Sequence, residues 1–557
     1  MLMRCAMALV MALSMGPAWA GDAVFSEVRY AGDDGGPAVS AGQYRNPVVA
    51  GFYPDPSAIS VGDDFYLVTS TFGYFPGLPV FHSTDLVSWT QIGNAIHRPG
   101  QINYGEKEEL TRGLFAATLA HHDGTFYVAN TCFYCDHGNF VVTAKDPAGP
   151  WSDPIWLDVT GIDPSLFFDD DGSAWVVHND VPDGTLRYDG HRAIWLQRFD
   201  FGKRERIGQR LLLVDGGADP ASKPEHVEGP HIFKHDGWYY LTAAEGGTGE
   251  QHAQMVWRSR ALTGPYQPAP SNPSLTQRDL DPKRADPVTS TGHAQFVKLK
   301  DGTWWAVFLA TRPYRGNQYN LGRETFLLPV TWKDGWPVIL PRGERVPMAV
   351  KRPDLPRSPQ PVPTSGPISW TERFEATSLP LSWMTLHPPK TPWYSTGKRG
   401  LTLTPGAMPL GAFGTTPGQP AYVAHRLQHH KATLETTLAT FDPTVGELAG
   451  LALLQNEYGH YVLGIERDAQ GLAVSLYRRS GRDGAKEGNR LARIHLPEEQ
   501  GPVSLRFRLD GPRLDADYRL ASGDWKTVAT GLDASLLSVE TAGGFIGNTF
   551  GPYALRR

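Results

Sequence analysis

The chain has 557 residues, which is too long for one ordinary domain, and its formal net charge is −6. An acidic balance offers no basic surface for nucleic acid or for an anionic membrane, so we expect a neutral partner. The composition includes 60 Gly and 46 Pro together with 16 Trp, 21 Tyr and 24 Phe, which is typical of a turn-rich β protein whose aromatic faces can stack on sugars.

Residues 1–20 have the pattern of an export signal. Arg4 supplies a positive charge, residues 6–15 are apolar, and Ala18-Trp19-Ala20 forms a small-x-small cleavage site before Gly21. We therefore expect this segment to be removed and the mature protein to be periplasmic or extracellular. No other run of the sequence approaches the ~20 apolar residues that a membrane-spanning helix needs, so no membrane span is expected.

A strand-turn-strand pattern then repeats five times between residues 44 and 345. In each repeat an Asp opens the turn and an aromatic strand follows, such as Trp304-Trp305-Ala306-Val307. Repeats of this kind, each one supersecondary unit, indicate blades arranged around an axis, so the sequence predicts an all-β fold with a five-bladed β-propeller over 44–345. The turns open with Asp63, Asp123, Asp171, Asp236 and Asp301.

The residue eight positions before each turn Asp should occupy an equivalent place near the axis, and three of these five residues are carboxylates. Charged groups are rarely carried to such a place unless they are paired or functional. Three together raise one another's pKa, which provides an acid and a base at one pH. Inverting glycoside hydrolysis uses such a pair, with a general base on water and a general acid on the leaving oxygen. The five residues are Asp55, Phe115, Asp163, Glu228 and His293.

Two cysteines, Cys132 and Cys135, remain once the export signal is removed. In an oxidising compartment they could close a small structural disulfide, and two free thiols are the alternative. No thioredoxin-like βαβ pattern surrounds them, so we do not expect redox catalysis.

The segment 346–368 is dense in proline and predicts a stiff, extended linker. From residue 369 to residue 557, short alternating strands separated by turns predict a two-sheet antiparallel β-sandwich of the jelly-roll type. No catalytic motif stands out in this second region. We therefore expect an accessory domain that is structural or that shapes the substrate site.

With these motifs the chain resembles family 43 of the glycoside hydrolases. The resemblance covers the propeller from Asn46 to about Leu340 and continues into the C-terminal region. It implies a five-bladed propeller, in agreement with the repeat count, and a C-terminal sandwich. The motifs include Gly51-Phe52-Tyr53-Pro54-Asp55-Pro56-Ser57, Gly161-Ile162-Asp163-Pro164-Ser165, Glu228-Gly229-Pro230-His231, Thr291-Gly292-His293-Ala294 and Leu321-Gly322-Arg323-Glu324-Thr325.

The resemblance also implies site roles. Asp55 matches the general base on the attacking water, Glu228 the general acid, and Asp163 a third acid that raises the pKa of the general acid and orients it. Arg312 matches an arginine that contacts sugar hydroxyls. His293 matches a histidine beside an ion near the axis, for which calcium held largely through water is the usual candidate. The hydrolysis itself should require no metal or other cofactor.

Aromatic residues are expected to line the pocket. Phe115 belongs to the set of equivalent positions, and Tyr74 and Phe75 lie on the loop after the first strand pair. Core packing is the alternative for Phe75 and for Phe72 on the same loop. The resemblance adds Phe545, since in some relatives the sandwich contributes an aromatic that closes the pocket.

The resemblance implies an inverting, exo-acting glycosidase that removes α-L-arabinofuranose from hemicellulose-derived oligosaccharides such as those of xyloglucan or arabinoxylan. The main alternative is an exo-β-D-xylosidase or an enzyme with both activities. The xylosidases of the family tend to have a Trp at the position of Tyr74, so the resemblance favours arabinose. Two further alternatives are a carbohydrate-binding protein without turnover and a retaining transglycosylase. No pattern in the sequence indicates the oligomeric state.

Overall fold

The computed structural model describes residues 21–105, 109–135, 137–360, 362–497, 501–521 and 523–557. The predicted export signal lies outside the described residues. Regular structure in the described ranges is almost entirely β: it includes one four-residue α-helix, Val539–Ala542, and the 3₁₀ turns Pro220–Ser222, Leu410–Ala412 and Ala534–Leu537. None of the helices in these ranges is long and apolar enough to cross a membrane.

The first domain is a propeller of five antiparallel sheets, and the fold predicted from the sequence is confirmed. The Asp-opened turns join the first and second strands of each blade, as in blade 1, where Val61 pairs with Asp64. Strands follow one another in chain order within each blade. Blade 1 comprises Ser57–Val61, Asp64–Val68, Gly77–Ser83 and Thr90–Ile96; blade 2 Gly113–His122, Thr125–Phe133, Asn139–Ala144 and Ile155–Trp156; blade 3 Ile162–Phe168, Ala174–Asp180, Ala193–Asp200 and Glu205–Asp215; blade 4 Glu228–His235, Trp238–Glu245, Ala253–Ser259, Gln267–Pro268 and the short Leu275–Thr276; blade 5 Thr289–Lys298, Trp304–Thr311, Glu324–Lys333 and Trp336–Val338.

The second domain is a β-sandwich of two antiparallel sheets, A and B, with an apolar core between them. Sheet A runs in the order Tyr394–Gly397, Gly400–Leu403, Ala23–Gly32, Lys431–Thr440, Val503–Asp510, Arg513–Leu520 and Lys526–Asp533, and Ile368–Glu372 also pairs with Ala23–Gly32. Sheet B runs in the order Ala421–Tyr422, Thr549–Arg556, Glu447–Asn456, Gly459–Asp468, Gly471–Ser480 and Asn489–His495, and His425–Arg426 also pairs with Thr549–Arg556.

The strand Ala23–Gly32 belongs to the sandwich, although the boundaries predicted from the sequence leave it outside that domain. Its residue Tyr30 pairs with Trp370 on one side and Leu434 on the other. The Tyr30 ring also stacks on Phe550 of sheet B, with ring centroids 5.5 Å apart. Because every partner of this strand lies hundreds of residues away, local patterning did not reveal its place.

The proline-dense segment 346–368 lies along the propeller. Within it, Ala349–Lys351 pairs with Gln43–Arg45 in a two-stranded sheet. Arg352 donates to Asp85 at 2.6 Å, and the backbone N–H of Ser358 donates to the same carboxylate at 3.0 Å. The connection between the domains is therefore fixed at several points along its length.

The two domains share an apolar interface. Tyr74–Phe75 of the propeller pairs with Thr385–Leu386 of the sandwich region. Phe52 and Phe72 join one buried cluster with residues from sheet B. Burying apolar surface stabilises by roughly 25 cal/mol per Å², so a continuous cluster across the boundary holds the sandwich against this face of the propeller.

Candidate active site

The residues at the equivalent positions are turned toward one another by local irregularities of the backbone. In blades 2 to 5 the first strand has a register shift at or beside this position, for example between Glu228 and His231 in blade 4. Bulges of this kind re-aim a side chain. Asp55, Asp163 and His293 also adopt positive φ values of 54°, 56° and 50°. Such left-handed backbone in non-glycine residues costs energy and is concentrated at functional sites.

Asp55 is buried, with 3% of its surface exposed, and its carboxylate is surrounded by hydrogen-bond donors and the Arg323 guanidinium. Arg323 donates to both oxygens, with Nη1 2.5 Å from Oδ1 and Nη2 3.3 Å from Oδ2. Ser70 donates to Oδ2 at 2.5 Å, and the Nδ1 atom of His293 lies 3.8 Å from Oδ1. A carboxylate with a bidentate guanidinium partner keeps its negative charge and a fixed orientation.

Glu228 and Asp163 form the other half of the site. The backbone N–H of Gly229 donates to Asp163 Oδ2 at 3.1 Å, which places the Asp163 carboxylate beside Glu228. Burial raises the pKa of Glu228 to about 8. The negative charge of Asp163 also raises this pKa, whereas the positive charge of Arg323 lowers it. Burial also raises the pKa of Asp163, with His293 opposing and Asp55 adding to the shift. Glu228 therefore carries a proton at neutral pH, whereas Asp55 is paired with the Arg323 guanidinium.

All three carboxylates line one cavity of about 550 Å³, a size typical of small-ligand sites. Aromatic side chains from both domains form part of its wall. The Phe72 ring lies 5.4 Å from that of Phe115 and 6.2 Å from that of Phe545, centroid to centroid. The sandwich residue Phe545 is held there because its backbone N–H donates to Thr111 Oγ1 at 2.7 Å. Phe115 and Phe545 thus line the cavity, and their contact with a sugar stays a prediction.

Tyr74 and Phe75 do not line the cavity, contrary to the sequence analysis. Tyr74 is fully buried in the domain interface, where its hydroxyl lies 2.9 Å from Thr549 Oγ1. Phe75 packs in the core shared by blades 1 and 2. Because this short strand pairs with the sandwich region, both of its side chains are enclosed by neighbouring elements. Phe72, three residues before Phe75, faces the cavity instead.

Arg312 is the second correction, since it does not reach the cavity. Its Nε and Nη2 atoms donate to Glu324 at 2.6 and 2.9 Å, and Nη1 donates to Asp34 at 2.9 Å. The arginine at the site is Arg323. Arg323 directly precedes Glu324, the first residue of the strand Glu324–Lys333. The two side chains point in different directions, so that Arg323 meets Asp55 while Glu324 meets Arg312. Arg323 belongs to the Leu321–Thr325 motif quoted above, which marks this arginine as a candidate in the sequence, whereas the predicted sugar-binding arginine was Arg312.

His293 lies at the floor of the site, 7% exposed, against Gly229. A Cβ atom added to Gly229 would come within 2.7 Å of the His293 ring, so only glycine fits there. In the described ranges no group of three or more His, Cys, Asp or Glu side chains could hold a metal ion directly. Three buried polar atoms, His231 Nε2, His252 Nε2 and Thr291 Oγ1, have no protein partner. The His231 ring lies 6.3 Å from the His293 ring, centroid to centroid. Such atoms fit water, or an ion held through water.

Cys132 and Cys135 are joined by a disulfide, which decides between the two alternatives left open by the sequence. The bond closes the turn after the second strand of blade 2. The neighbouring Phe133 lines the cavity.

Comparisons with known proteins agree with this geometry. A model of glycosyl hydrolases family 43 matches residues 44–337, and a model of the β-xylosidase C-terminal concanavalin A-like domain matches residues 371–557. A xylosidase/arabinosidase from Butyrivibrio fibrisolvens is 37% identical over 521 residues, covering 92% of this chain and 95% of that protein. A non-reducing end α-L-arabinofuranosidase from Bacteroides ovatus is 36% identical over 523 residues, covering 92% of this chain and 91% of that protein. The crystal structure of a GH43_12 protein retrieved from a capybara gut metagenome superposes with a TM-score of 0.89 at 34% identity, covering 96% of this chain and 100% of that one.

Proposed function

Because the chain belongs to glycosyl hydrolase family 43 and is a glycoside hydrolase, we propose that it is an inverting, exo-acting enzyme that releases terminal α-L-arabinofuranose from hemicellulose-derived oligosaccharides. One observation carries the proposal. A single cavity holds one carboxylate paired with the Arg323 guanidinium and one carboxylic acid kept protonated by burial. Those are the two charge states that hydrolysis with inversion requires at one pH.

In the proposed reaction Asp55 accepts a proton from a water molecule as that water attacks the anomeric carbon. Glu228 donates its proton to the glycosidic oxygen while the bond to the leaving sugar breaks. Arg323 and Ser70 hold Asp55 in orientation, and the charge of Asp163 keeps Glu228 protonated until the transition state. The pentose leaves with inverted anomeric configuration, and the two carboxyl groups return to their starting charges by exchanging a proton with solvent.

The shape of the cavity supports action at a chain end. Phe545, contributed by the sandwich, packs against Phe72 and Phe115 and closes one side of the cavity. A terminal sugar can enter such a cavity, whereas the interior of a polysaccharide chain requires an open cleft.

The names of the relatives support a pentose as the released sugar, but they include both arabinose and xylose. One relative is an α-L-arabinofuranosidase and another is named for both xylosidase and arabinosidase activity. An exo-β-D-xylosidase, or a dual enzyme, is therefore the second candidate. Tyr74 no longer discriminates between them, because it is buried at the domain interface.

The experiment is a comparison of kcat/KM on para-nitrophenyl α-L-arabinofuranoside, para-nitrophenyl β-D-xyloside and the corresponding branched and linear oligosaccharides. The proposal predicts higher kcat/KM on the arabinofuranosides and release of arabinose from branches. A clear preference for the β-xyloside and for linear xylo-oligosaccharides would contradict it in favour of the second candidate. Binding without release of any pentose would contradict both.

Two further parts of the proposal concern the surroundings of the reaction. We propose that residues 1–20 direct export and are then removed, on the evidence of their sequence pattern. We also propose an ion near His293, with calcium as the first candidate, held through water by the unpartnered polar atoms beside it. Its contribution would be structural or electrostatic, and the proton transfers belong to the carboxylates.

A further inference from the structure

An exposed aromatic residue stands at the edge of the catalytic cavity. Tyr134 has 64% of its surface exposed and is the one aromatic among the large apolar side chains that are exposed in the described ranges. Its φ of 70° lies in the left-handed region, which a residue with a bulky side chain rarely adopts. An exposed aromatic ring on a strained backbone position is the kind of feature that points to function rather than folding.

Tyr134 continues an aromatic surface that begins inside the cavity. The rings of Phe115 and Phe133 are stacked, with centroids 4.9 Å apart and an interplanar angle of 9°. Tyr134 meets Phe133 edge to face at 4.5 Å. The Arg112 guanidinium lies 5.1 Å from the Phe133 centroid and 5.7 Å from the Tyr134 centroid. Phe115, Phe133 and Arg112 all line the cavity, so this surface leads from the three carboxylates to solvent.

The turn that carries Tyr134 is fixed in place. The backbone N–H of Cys135 donates to the carbonyl oxygen of Cys132 at 3.2 Å, and the N–H of Cys132 donates to that of Gly138 at 2.9 Å. The disulfide between Cys132 and Cys135 closes the same turn, and Cys132 is fully buried. Tyr134 is therefore presented to solvent between two cysteines that a disulfide and a backbone hydrogen bond join.

We propose that Phe133, Tyr134 and Arg112 form the binding site for the leaving-group part of the substrate, the sugar rings that remain after the terminal pentose is cleaved. The C–H face of a pyranose ring stacks on an aromatic ring, and the guanidinium donates hydrogen bonds to sugar hydroxyls. Val181, which also lines the cavity and is 41% exposed, adds apolar surface at the mouth. This inference rests on the proposed function only in that the cavity cleaves a terminal pentose; it holds for either pentose.

The test uses Tyr134→Asn and Tyr134→Ala in the full-length protein. Asn tolerates positive φ and so retains the turn while removing the ring. The substrates are oligosaccharides with one and the same terminal pentose, followed by one, two or three leaving-group sugars. We expect kcat/KM on the longer substrates to fall about five- to tenfold in both variants, with a smaller loss on the shortest. The inhibition constant of the free pentose, which occupies only the cleaved-sugar position, should change less than about twofold.

Tyr134→Trp should retain the length dependence of the wild type. Trp525 directly precedes the last strand of sheet A, packs against Arg506 and Arg519 and does not line the cavity, so Trp525→Ala should leave all rates unchanged. An unchanged kcat/KM on every substrate length in Tyr134→Asn would overturn the inference. So would an equal loss on all lengths with weaker binding of the free pentose, since that pattern places the effect in the catalytic cavity. A wild type that prefers xylosides would refute the proposed sugar and leave this test intact.

Discussion

Replacement of Asp163 by Asn tests how the charge of one carboxylate sets the proton on another. In the variant D163N the new side-chain amide can still accept the Gly229 N–H, because its oxygen replaces Oδ2 of the aspartate. The negative charge beside Glu228 is lost. Two unit charges about 6 Å apart at an effective dielectric constant of about 20 interact by about 3 kcal/mol, which is about two pKa units.

The sign of the effect follows from the direction of the shift. Asp163 raises the pKa of Glu228, so its neutralisation lowers that pKa from its present value of about 8. The general acid then loses its proton at lower pH, and the alkaline limb of the kcat/KM profile should move down by about two pH units. Burial still acts on Glu228, which keeps its pKa above the ordinary value for a glutamate.

The assay is the pH dependence of kcat/KM on a natural oligosaccharide, whose poor leaving group makes proton donation necessary. Asp169→Asn is the matched control, because Asp169 pairs with Lys234 and Tyr239 away from the cavity and should leave the profile unchanged. An alkaline limb that stays in place in D163N, or that moves to higher pH, would refute the assignment of Glu228 as the general acid that the charge of Asp163 keeps protonated.

The remaining predictions concern the acid, the two arginines and the aromatic from the sandwich. Glu228→Gln should lose most turnover on oligosaccharides but much less on an aryl glycoside with a good leaving group; equal losses on both would contradict a proton-donating role. Arg323→Met should lower kcat because Asp55 loses its partner. Arg312→Met should instead lower the free energy of unfolding by about 3 kcal/mol with little change in kcat. Steady-state kinetics and chemical denaturation measure the two effects, and the reverse pattern would contradict the placement of the two arginines. Phe545→Ala should raise KM more than it lowers kcat, and unchanged kinetics would exclude the sandwich from the site.

The repeat pattern of the sequence was enough to predict the propeller and to identify its equivalent positions. Turn signals are local, and the spacing of Asp55, Asp163 and Glu228 from the turns is the same in each blade. The structure places all three in one cavity for that reason. The prediction of Arg312 rather than Arg323 as the arginine of the site was wrong. Which of the two reaches the site depends on the side of blade 5 that meets Asp55. That side is set by the register of blade 5, which composition does not reveal.

Contacts between the domains were the other part that the sequence did not predict. Tyr74 lies two residues after Phe72, which lines the cavity, but the surroundings of Tyr74 depend on where the sandwich packs. The sequence of Ala23–Gly32 is typical of a strand, but the strands with which it pairs lie far away in the sequence, in the sandwich. Both cases are long-range pairings, which local periodicity leaves undetermined.

The central claim is that Asp55 activates a water molecule while Glu228 protonates the leaving oxygen across one cavity. Proton NMR of the first-formed sugar, recorded before mutarotation, tests this most directly. The anomeric proton of the released pentose should appear with the configuration opposite to that of the substrate. Initial release of the same configuration would show a covalent glycosyl-enzyme route and would contradict the role given to Asp55.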